Sequence, residues 1–224
     1  MLRTRDERQE LIDDPALPDE EFAAAMADLA RVNFWLRGHA PTLSFLRRHA
    51  PRGGFSLLDV GAGQGDLLRS IERWTDRRGI PARLTGIDLA AGGALAAGRA
   101  GTRAAYLTGD VFAHRPATSY DFIVSALFTH HLPDADIVRF LRWMDGHAVR
   151  GWHINDLHRH PLALWGYAAL SSAMRWHPIV RHDGRLSVRR AFTRADWRRL
   201  LREAGVTARI TWHPLFRWGV SSVR

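Results

Sequence analysis

Apolar residues follow two different spacings along the chain. Short continuous runs rich in β-branched and aromatic residues predict buried strands, and apolar positions three or four residues apart predict amphipathic helices. The predicted strands are 57–60, 83–89, 106–112, 119–128, 152–157, 206–212 and 216–223. The predicted helices between the first five strands are 67–77, 90–101 and 135–144. This alternation is typical of an α/β fold with a seven-stranded, mostly parallel sheet, and the last two strands predict a C-terminal antiparallel hairpin.

Helical patterns also flank and interrupt this alternation. Asp19 can cap a helix over 20–36, and Thr193 can cap one that ends at Ala204-Gly205. The other predictions are a helical start at 7–12, a short helix at 41–49, an apolar helix at 161–174 and a loop at 177–184. We therefore predict a helical cap or substrate lid at 1–52, and a main domain at 53–224 with a helical insertion at about 160–190. The alternative is that the N-terminal helices only pack on the sheet.

A glycine-rich loop joins the first strand to the first helix. It reads Asp59-Val60-Gly61-Ala62-Gly63-Gln64-Gly65-Asp66. Glycines permit positive φ angles and leave room for a ligand beside the backbone at a helix N-terminus. A dinucleotide fingerprint needs its third glycine at position 66, where Asp66 stands. The second strand ends on an acidic residue, Asp88, about 23 residues after Gly65. At this distance along the chain, a βαβ unit presents a carboxylate to both ribose hydroxyls.

These motifs, together with Gly109-Asp110-Val111 after the third strand, resemble those of the class I S-adenosylmethionine-dependent methyltransferases. The resemblance implies a Rossmann-like fold with S-adenosyl-L-methionine as cofactor and S-adenosyl-L-homocysteine as product. By position, the residues expected to bind the cofactor are Asp59, Gly61, Ala62, Gly63, Gly65, Asp88, Leu89, Asp110, Val111 and Ser125. In the family, the glycine loop lies along the methionine part of the cofactor. The residue at the position of Asp88 binds the ribose, and those at the positions of Asp110 and Val111 contact the adenine.

Composition narrows the class of protein. The chain has no cysteine, which excludes disulfides, thiolate catalysis and cysteine-ligated metals. Its net charge is +9, but every Lys/Arg position is arginine and these are dispersed, which favours genomic base bias over a nucleic-acid site. Neither a membrane span nor a signal-peptide core is apparent, so we expect a cytoplasmic protein, monomeric or homodimeric, without a nucleic-acid partner.

Histidines near the carboxyl ends of strands four and five are the candidate bases, because imidazole titrates near neutrality. His131 and His158 are the first candidates and His130 the third, with Asp156 orienting one of them, whereas His153 lies inside a strand and is expected in the core. Strand four ends in Ser125-Ala126-Leu127 without a carboxylate, which argues against magnesium. His153, His158 and His160 lack a shared ligand spacing, so no metal is expected.

Aromatic residues outside the sheet are candidates for an acceptor pocket. They and their neighbours are Asn33, Phe34, Trp35, Trp165, Tyr167, Met174 and Trp176. The strings 155–163, 180–184 and 187–192 also resemble a bacterial group of methyltransferases found with type III polyketide synthases, which implies phenolic acceptors such as alkylresorcinols or quinones. The expected reaction is metal-independent O-methylation of an aromatic small molecule. An RNA or protein methyltransferase and a non-catalytic binding protein remain alternatives.

Overall fold

The structure is a computed structural model, and it describes residues 2–14, 16–116 and 118–224. Its sheet has seven strands in the order β3-β2-β1-β4-β5-β7-β6. Their bounds are β1 Phe55–Val60, β2 Ala82–Asp88, β3 Ala105–Thr108, β4 Tyr120–Ala126, β5 Ala148–Leu157, β6 Arg209–His213 and β7 Arg217–Val223. Strands β1 to β5 are parallel to one another, and β7 pairs antiparallel with both β5 and β6. The predicted α/β sheet with its C-terminal hairpin is confirmed.

Strand order reverses between β1 and β4, which lie side by side although two strands separate them in sequence. In open α/β sheets such a reversal leaves a crevice outside the carboxyl ends of the strands, where ligands bind. β3 is shorter than predicted and ends at Thr108, so Asp110 and Val111 belong to the loop that follows it. β5 is longer and starts at Ala148.

Eight α-helices occur among the described residues. They are α1 Asp19–Trp35, α2 Ala40–His49, α3 Asp66–Asp76, α4 Ala91–Arg99, α5 Asp134–His147, α6 Pro161–Ala173, α7 Pro178–Arg190 and α8 Arg194–Ala204. Thr193 caps α8 in a reciprocal capping box with Asp196, as predicted from the sequence. α1 has Pro18 at its N-cap instead of Asp19, whose side chain lies outside the described part of the chain.

Two local predictions are wrong. The predicted loop at 177–184 belongs to helix α7, which starts on Pro178 with its preset φ angle. Gly184 looked like a turn signal, but it lies inside this helix because the Tyr167 ring occupies the space that a Cβ would need. Residues 7–12 do not start an α-helix either, since the backbone N–H groups of Leu11 and Ile12 donate to the Asp183 carboxylate (3.0 and 2.9 Å).

The core has a layer on each side of the sheet. Helices α2 and α3 cover one face around Leu46, Leu68 and Phe122, and α5 and α8 cover the other around Phe140 and Trp197. Helix α1 packs instead on α7, in a third cluster of Ala25, Val32, Trp176, Ile179 and Val180. Over the residues that the structure describes, no helix has both the length and the apolarity needed to cross a bilayer.

Candidate active site

A cavity of about 440 Å³ lies at the carboxyl ends of β1, β4 and β5. At one end, which we call the glycine-loop end, its wall consists of Asp59, Gly61, Ala62 and Gly63. At the other, the histidine end, it consists of Glu10, His130, His131, His158 and Arg217. The wall between them is apolar and comes from helices α1, α6 and α7; it includes Met26, Leu29, Val32, Leu36, Leu162, Leu170 and Val188. The cavity thus connects two polar ends through an apolar passage.

The glycine loop adopts the conformation that its sequence predicts. Gly61, Gly63 and Gly65 have φ angles of 71°, 51° and 72°, in the left-handed region that favours glycine. A Cβ at Gly61 would lie 2.5 Å from the Phe128 ring, so packing demands glycine there. A Cβ at Gly63 would meet only the Met26 methyl group, at 3.9 Å. Beside Gly63 there is therefore room for a ligand.

Asp59 is a buried carboxylate without a complete set of partners. It is 2% exposed, and its Oδ1 forms no hydrogen bond within the described chain. Burial, reinforced by the charges of Asp66 and Asp88, raises the pKa of Asp59 well above its usual value. A cationic ligand in the cavity would supply the missing partner, as the ammonium group of a methionine-type cofactor does. The donor set at this end fits the expected cofactor.

Asp88 and Asp110 carry the other expected cofactor contacts. The Asp88 carboxylate accepts hydrogen bonds from the backbone N–H groups of Gly63 (2.8 Å) and Ala90 (2.9 Å). Each carboxylate oxygen keeps a further lone pair, so Asp88 can still accept two hydroxyl groups. Asp110 accepts from the backbone N–H of Phe112 (2.9 Å), the next residue, Val111, is buried, and Leu89 is exposed. These residues lie outside the wall of the cavity itself.

Ser125 lies differently from the other expected contacts. It is fully buried, and its hydroxyl donates to the Val60 carbonyl (2.9 Å), so it joins β4 to β1. The cavity wall is formed by the next two residues, Ala126 and Leu127. Leu127 has a φ of 57°, an uncommon value for a branched residue, and backbone strain of this kind often marks ligand sites.

Helix α1 is attached directly to the glycine loop. The Asn33 amide donates to Asp66 Oδ2 (2.9 Å), His39 Nε2 donates to the same oxygen (3.1 Å), and the Gln64 amide donates to the Met26 carbonyl (2.9 Å). Burial opposes ionisation of Asp66, but its hydrogen bonds from His39 and Asn33 prevail and lower its pKa. These contacts hold α1 across the glycine-loop end of the cavity.

The aromatic pocket candidates divide into two groups. Asn33 and Tyr167 line the cavity, and the Tyr167 hydroxyl donates to the Val180 carbonyl (2.7 Å). The others face elsewhere, because Phe34, Trp35, Trp165 and Met174 are 77%, 58%, 72% and 42% exposed and Trp176 is buried between α1 and α7. Helical spacing alone could not separate the cavity side of these helices from the solvent side.

Asp156 orients His130. It is completely buried and accepts hydrogen bonds from His130 Nδ1 (2.7 Å), the His130 backbone N–H (3.0 Å) and the Thr129 hydroxyl. Burial alone would raise the pKa of Asp156. The charge of His130 and hydrogen bonds from the His130 imidazole, the Thr129 hydroxyl and the Leu157 backbone N–H outweigh burial and hold that pKa at about 2. Since Nδ1 donates, the Nε2 atom of His130 carries the free lone pair.

His131 has a carboxylate partner that the sequence did not indicate. Its Nδ1 donates to Asp13 (2.9 Å), and its Nε2 lies 3.9 Å from the carboxylate of Glu10. Burial lowers the pKa of His131, but the bond to Asp13 and the charges of Glu10 and Asp13 outweigh this and raise it. Glu10 is 4% exposed, accepts from the Ser187 hydroxyl (2.8 Å) and lies 3.7 Å from His130 Nε2.

His158 and His153 occupy different environments. His158 lines the cavity with its ring 4.7 Å from that of Trp218, and burial, together with the charges of His160 and Arg159, lowers its pKa. His153 is buried in β5 and stacks on Phe45 at 4.8 Å, away from the cavity, in agreement with the core position expected for it.

Arg217 is a second residue that sequence reasoning missed. It is 2% exposed on the cavity wall, and its Nε and Nη1 atoms have no hydrogen-bond partner in the described chain. Burial lowers its pKa to about 10 although Asp156 opposes the shift, so it is a cation at neutral pH. Because the chain contains so many arginines, its sequence position does not mark Arg217 as a functional residue.

Comparisons with known proteins agree with the fold. Residues 57–150 match the family model of a methyltransferase domain. No curated protein sequence matches the chain. The fold is similar to the plantazolicin methyltransferase BpumL in complex with SAH, with a TM-score of 0.67, 15% identity and 90% of each chain covered.

A second similar structure is the magnesium protoporphyrin IX methyltransferase ChlM from Synechocystis PCC 6803 with bound SAH. Its TM-score is 0.57 at 15% identity, and 95% of this chain and 91% of that chain are covered. At this level of identity the two likenesses establish the fold.

Proposed function

We propose that this S-adenosylmethionine-dependent methyltransferase transfers a methyl group to a hydroxyl oxygen of an apolar, aromatic small molecule. The observation that carries the proposal is the continuous cavity between the glycine loop and the histidine end. A phenolic polyketide such as an alkylresorcinol, or a quinone derived from one, has the combination of polar ring and apolar chain that such a cavity accommodates.

The cofactor supplies a methyl group on a positively charged sulfur, which is already activated for transfer. The residues that would hold it are Asp59 for the ammonium group, Asp88 for the ribose hydroxyls and Asp110 with Val111 for the adenine. Gly63 leaves space beside the backbone. The task that remains for the protein is to position the acceptor and to stabilise its oxygen as the proton leaves.

The histidine end suits an acceptor oxygen. Arg217 presents unpaired N–H donors from a buried position, so a phenolate there would gain charge-assisted hydrogen bonds that water cannot replace. An imidazole of the same wall takes the proton. His158 is suited to this role because its lowered pKa keeps it neutral at physiological pH.

The apolar wall selects the rest of the acceptor. Helix α1 and the residue after it contribute Leu29, Val32 and Leu36 to the space between the two ends, and α6 contributes Leu170. Since α1 belongs to the segment 1–52, we propose that this segment caps the acceptor as well as packing on the main domain. Burying an alkyl chain against such a wall contributes about 25 cal/mol per Å² of apolar surface.

A macromolecular acceptor fits the structure less well. Several arginines that contribute to the charge of +9 point inward and donate to backbone carbonyls: Arg5 to Arg190, Arg159 to Ala191, and Arg190 to His130. The formal charge therefore overstates the positive potential that a nucleic acid would meet at the surface. A cavity of this volume with a mostly apolar wall also favours a small molecule over a polymer.

The experiment has two stages. Calorimetry should show binding of S-adenosylhomocysteine and none of NAD. The protein is then incubated with S-adenosylmethionine and alkylated resorcinols, with their dimethyl ethers as controls. Mass spectrometry should detect one added methyl group on the free phenols only. Methylation of RNA or protein, or of a carbon in the ethers, would refute the acceptor assignment, and failure to bind S-adenosylhomocysteine would refute the reaction class.

A further inference from the structure

A cluster of one carboxylate and two imidazoles lies at the histidine end of the cavity. Glu10, His130 and His131 each offer one ligand atom, and these atoms all lie within 4.8 Å of one another. We propose that this cluster binds a divalent first-row transition metal such as Zn²⁺ or Fe²⁺. The assignment goes beyond the proposed methyl transfer, because it concerns binding and needs neither cofactor nor acceptor.

The ligand atoms are of the right kind and nearly at the right separation. The Glu10 carboxylate lies 3.7 Å from His130 Nε2 and 3.9 Å from His131 Nε2. Ligand bonds of about 2.0–2.2 Å place neighbouring ligand atoms about 3–3.5 Å apart. The two Glu10–imidazole distances are longer than this, so the side chains would have to close around the ion. Two imidazoles and one carboxylate are a donor set for zinc and for non-haem iron, and this set leaves coordination positions open.

The residues behind the ligands support the same assignment. His130 donates its Nδ1 hydrogen to Asp156 and His131 donates its Nδ1 hydrogen to Asp13, at 2.7 and 2.9 Å. Metal-bound histidines almost always donate their second nitrogen to a carboxylate or carbonyl, which fixes the tautomer and raises the basicity of the ligating nitrogen. In the neutral form of each imidazole, Nε2 is therefore the atom with the available lone pair, and neither Nε2 is hydrogen-bonded within the described residues.

Glu10 is also held in place. The Oε1 atom of Glu10 accepts a hydrogen bond from the Ser187 hydroxyl. The next two residues are anchored as well, because the backbone N–H groups of Leu11 and Ile12 donate to the Asp183 carboxylate. A buried carboxylate with a single hydrogen bond is costly unless a cation accompanies it. The protein thus keeps Glu10 inside the cavity wall although its own contacts satisfy it only in part.

The surrounding charge favours a cation. Glu10, Asp13 and Asp156 contribute three carboxylates at or behind the ligands. Arg217, a buried cation on the same cavity wall, opposes this effect, although Asp156 offsets part of its charge. The Nε of Arg190 lies 4.0 Å from Glu10, but its guanidinium donates to the carbonyls of His130 (3.0 Å) and His131 (2.8 Å). These bonds direct the arginine to the backbone and leave the Glu10 oxygens facing the imidazoles.

A metal here would sit on the wall of the cavity where the acceptor oxygen is expected. Its open positions would face the apolar passage, so an acceptor hydroxyl or carbonyl group could coordinate to it. His130 and His131 would then be ligands, and His158 would remain as the imidazole that is free to take a proton.

The test uses the full chain without a histidine tag, treated with a chelator and returned to metal-free buffer. Titration with Co²⁺ should produce a visible absorption band that saturates at one equivalent, and Zn²⁺ should displace it. Glu10→Gln keeps the size of the side chain and a carbonyl oxygen that can accept the hydrogen bond from Ser187. This variant should bind Co²⁺ at least tenfold more weakly. Asp13→Asn, which changes only the support of His131, should weaken it about 10–100-fold.

His182→Gln is the matched control, since His182 also pairs with a carboxylate (Asp183, 2.8 Å) but lies outside the cluster. It should bind Co²⁺ like the unmodified chain. Circular dichroism shows whether Glu10→Gln and His131→Gln remain folded, and either folded variant suffices for the comparison. The proposal is refuted if the unmodified chain binds no Co²⁺, if the folded ligand variants bind it unchanged, or if His182→Gln loses it equally.

Discussion

His153 makes the stability of this protein depend on pH in a way that can be calculated. The imidazole is 3% exposed, and neither ring nitrogen has a hydrogen-bond partner in the described chain. Burial, with smaller effects from His213 and His49, lowers the pKa of His153 from 6.5 to about 3. Between these values the unfolded chain binds a proton that the folded chain does not, so stability falls as pH drops below 6.5.

The size of the loss follows from the two pKa values. Each pH unit between them costs about 1.4 kcal/mol, so lowering the pH from 7.5 to 5 should remove about 2 kcal/mol of unfolding free energy through this group. His153→Leu keeps a similar volume against Phe45 and cannot take up the proton. The variant should therefore gain about 2 kcal/mol relative to the unmodified chain over this pH range.

Urea unfolding at pH 7.5, 6.5, 5.5 and 5.0 measures this difference for both proteins. The quantity of interest is the change in the gap between the two free energies, because any packing effect of leucine is present at every pH. A gap that stays constant from pH 7.5 to 5 would refute the reasoning. It would mean that the folded protein accommodates a protonated His153, through water or through movement of α2.

Three further predictions concern the active site. Asp88→Ala should weaken S-adenosylhomocysteine binding by a few kcal/mol in calorimetry, because two ribose hydrogen bonds are lost, and unchanged affinity would remove the ribose assignment. Gly61→Ala should lower the unfolding free energy by about 2–4 kcal/mol, because its Cβ would lie 2.5 Å from the Phe128 ring at a positive φ, whereas Gly53→Ala has no atom within 4 Å and should be nearly neutral in urea unfolding. His158→Gln should lower kcat on a phenolic acceptor about 100-fold with little change in cofactor affinity, and full activity would exclude His158 as the base.

The sequence was sufficient for the parts of the site that depend on neighbouring residues. The glycine loop and Asp88 lie within one strand-loop-helix-strand unit, so their spacing alone brings them together, and Gly63 does donate to Asp88 at 2.8 Å. The same holds for the buried strands, whose apolar runs are continuous. The pairing of two consecutive parallel strands also brings His130 near Asp156, because His130 follows β4 and Asp156 lies near the carboxyl end of β5.

The parts that the sequence did not reveal depend on long-range contacts. Glu10 reaches the histidine end because Ser187, 177 residues further along the chain, donates to it. Its own segment, where the sequence predicts the start of a helix, instead follows the surface of α7. Nothing in the sequence distinguishes Arg217 from the other arginines, and only the C-terminal hairpin places it on the cavity wall. The sequence predicts a loop over the first half of α7, up to Gly184, whereas in the structure this glycine makes room for the Tyr167 ring inside the helix.

The 177 residues between Glu10 and Ser187 also have a consequence for biosynthesis. At about 5–20 residues per second, a ribosome needs roughly 10–35 s to progress from one to the other. During that interval the glycine loop, Asp88 and Asp110 have all been translated, but Glu10 has no partner to hold it. The nascent chain would thus contain all the residues proposed to hold the methyl donor before Ser187 can complete the opposite end of the cavity.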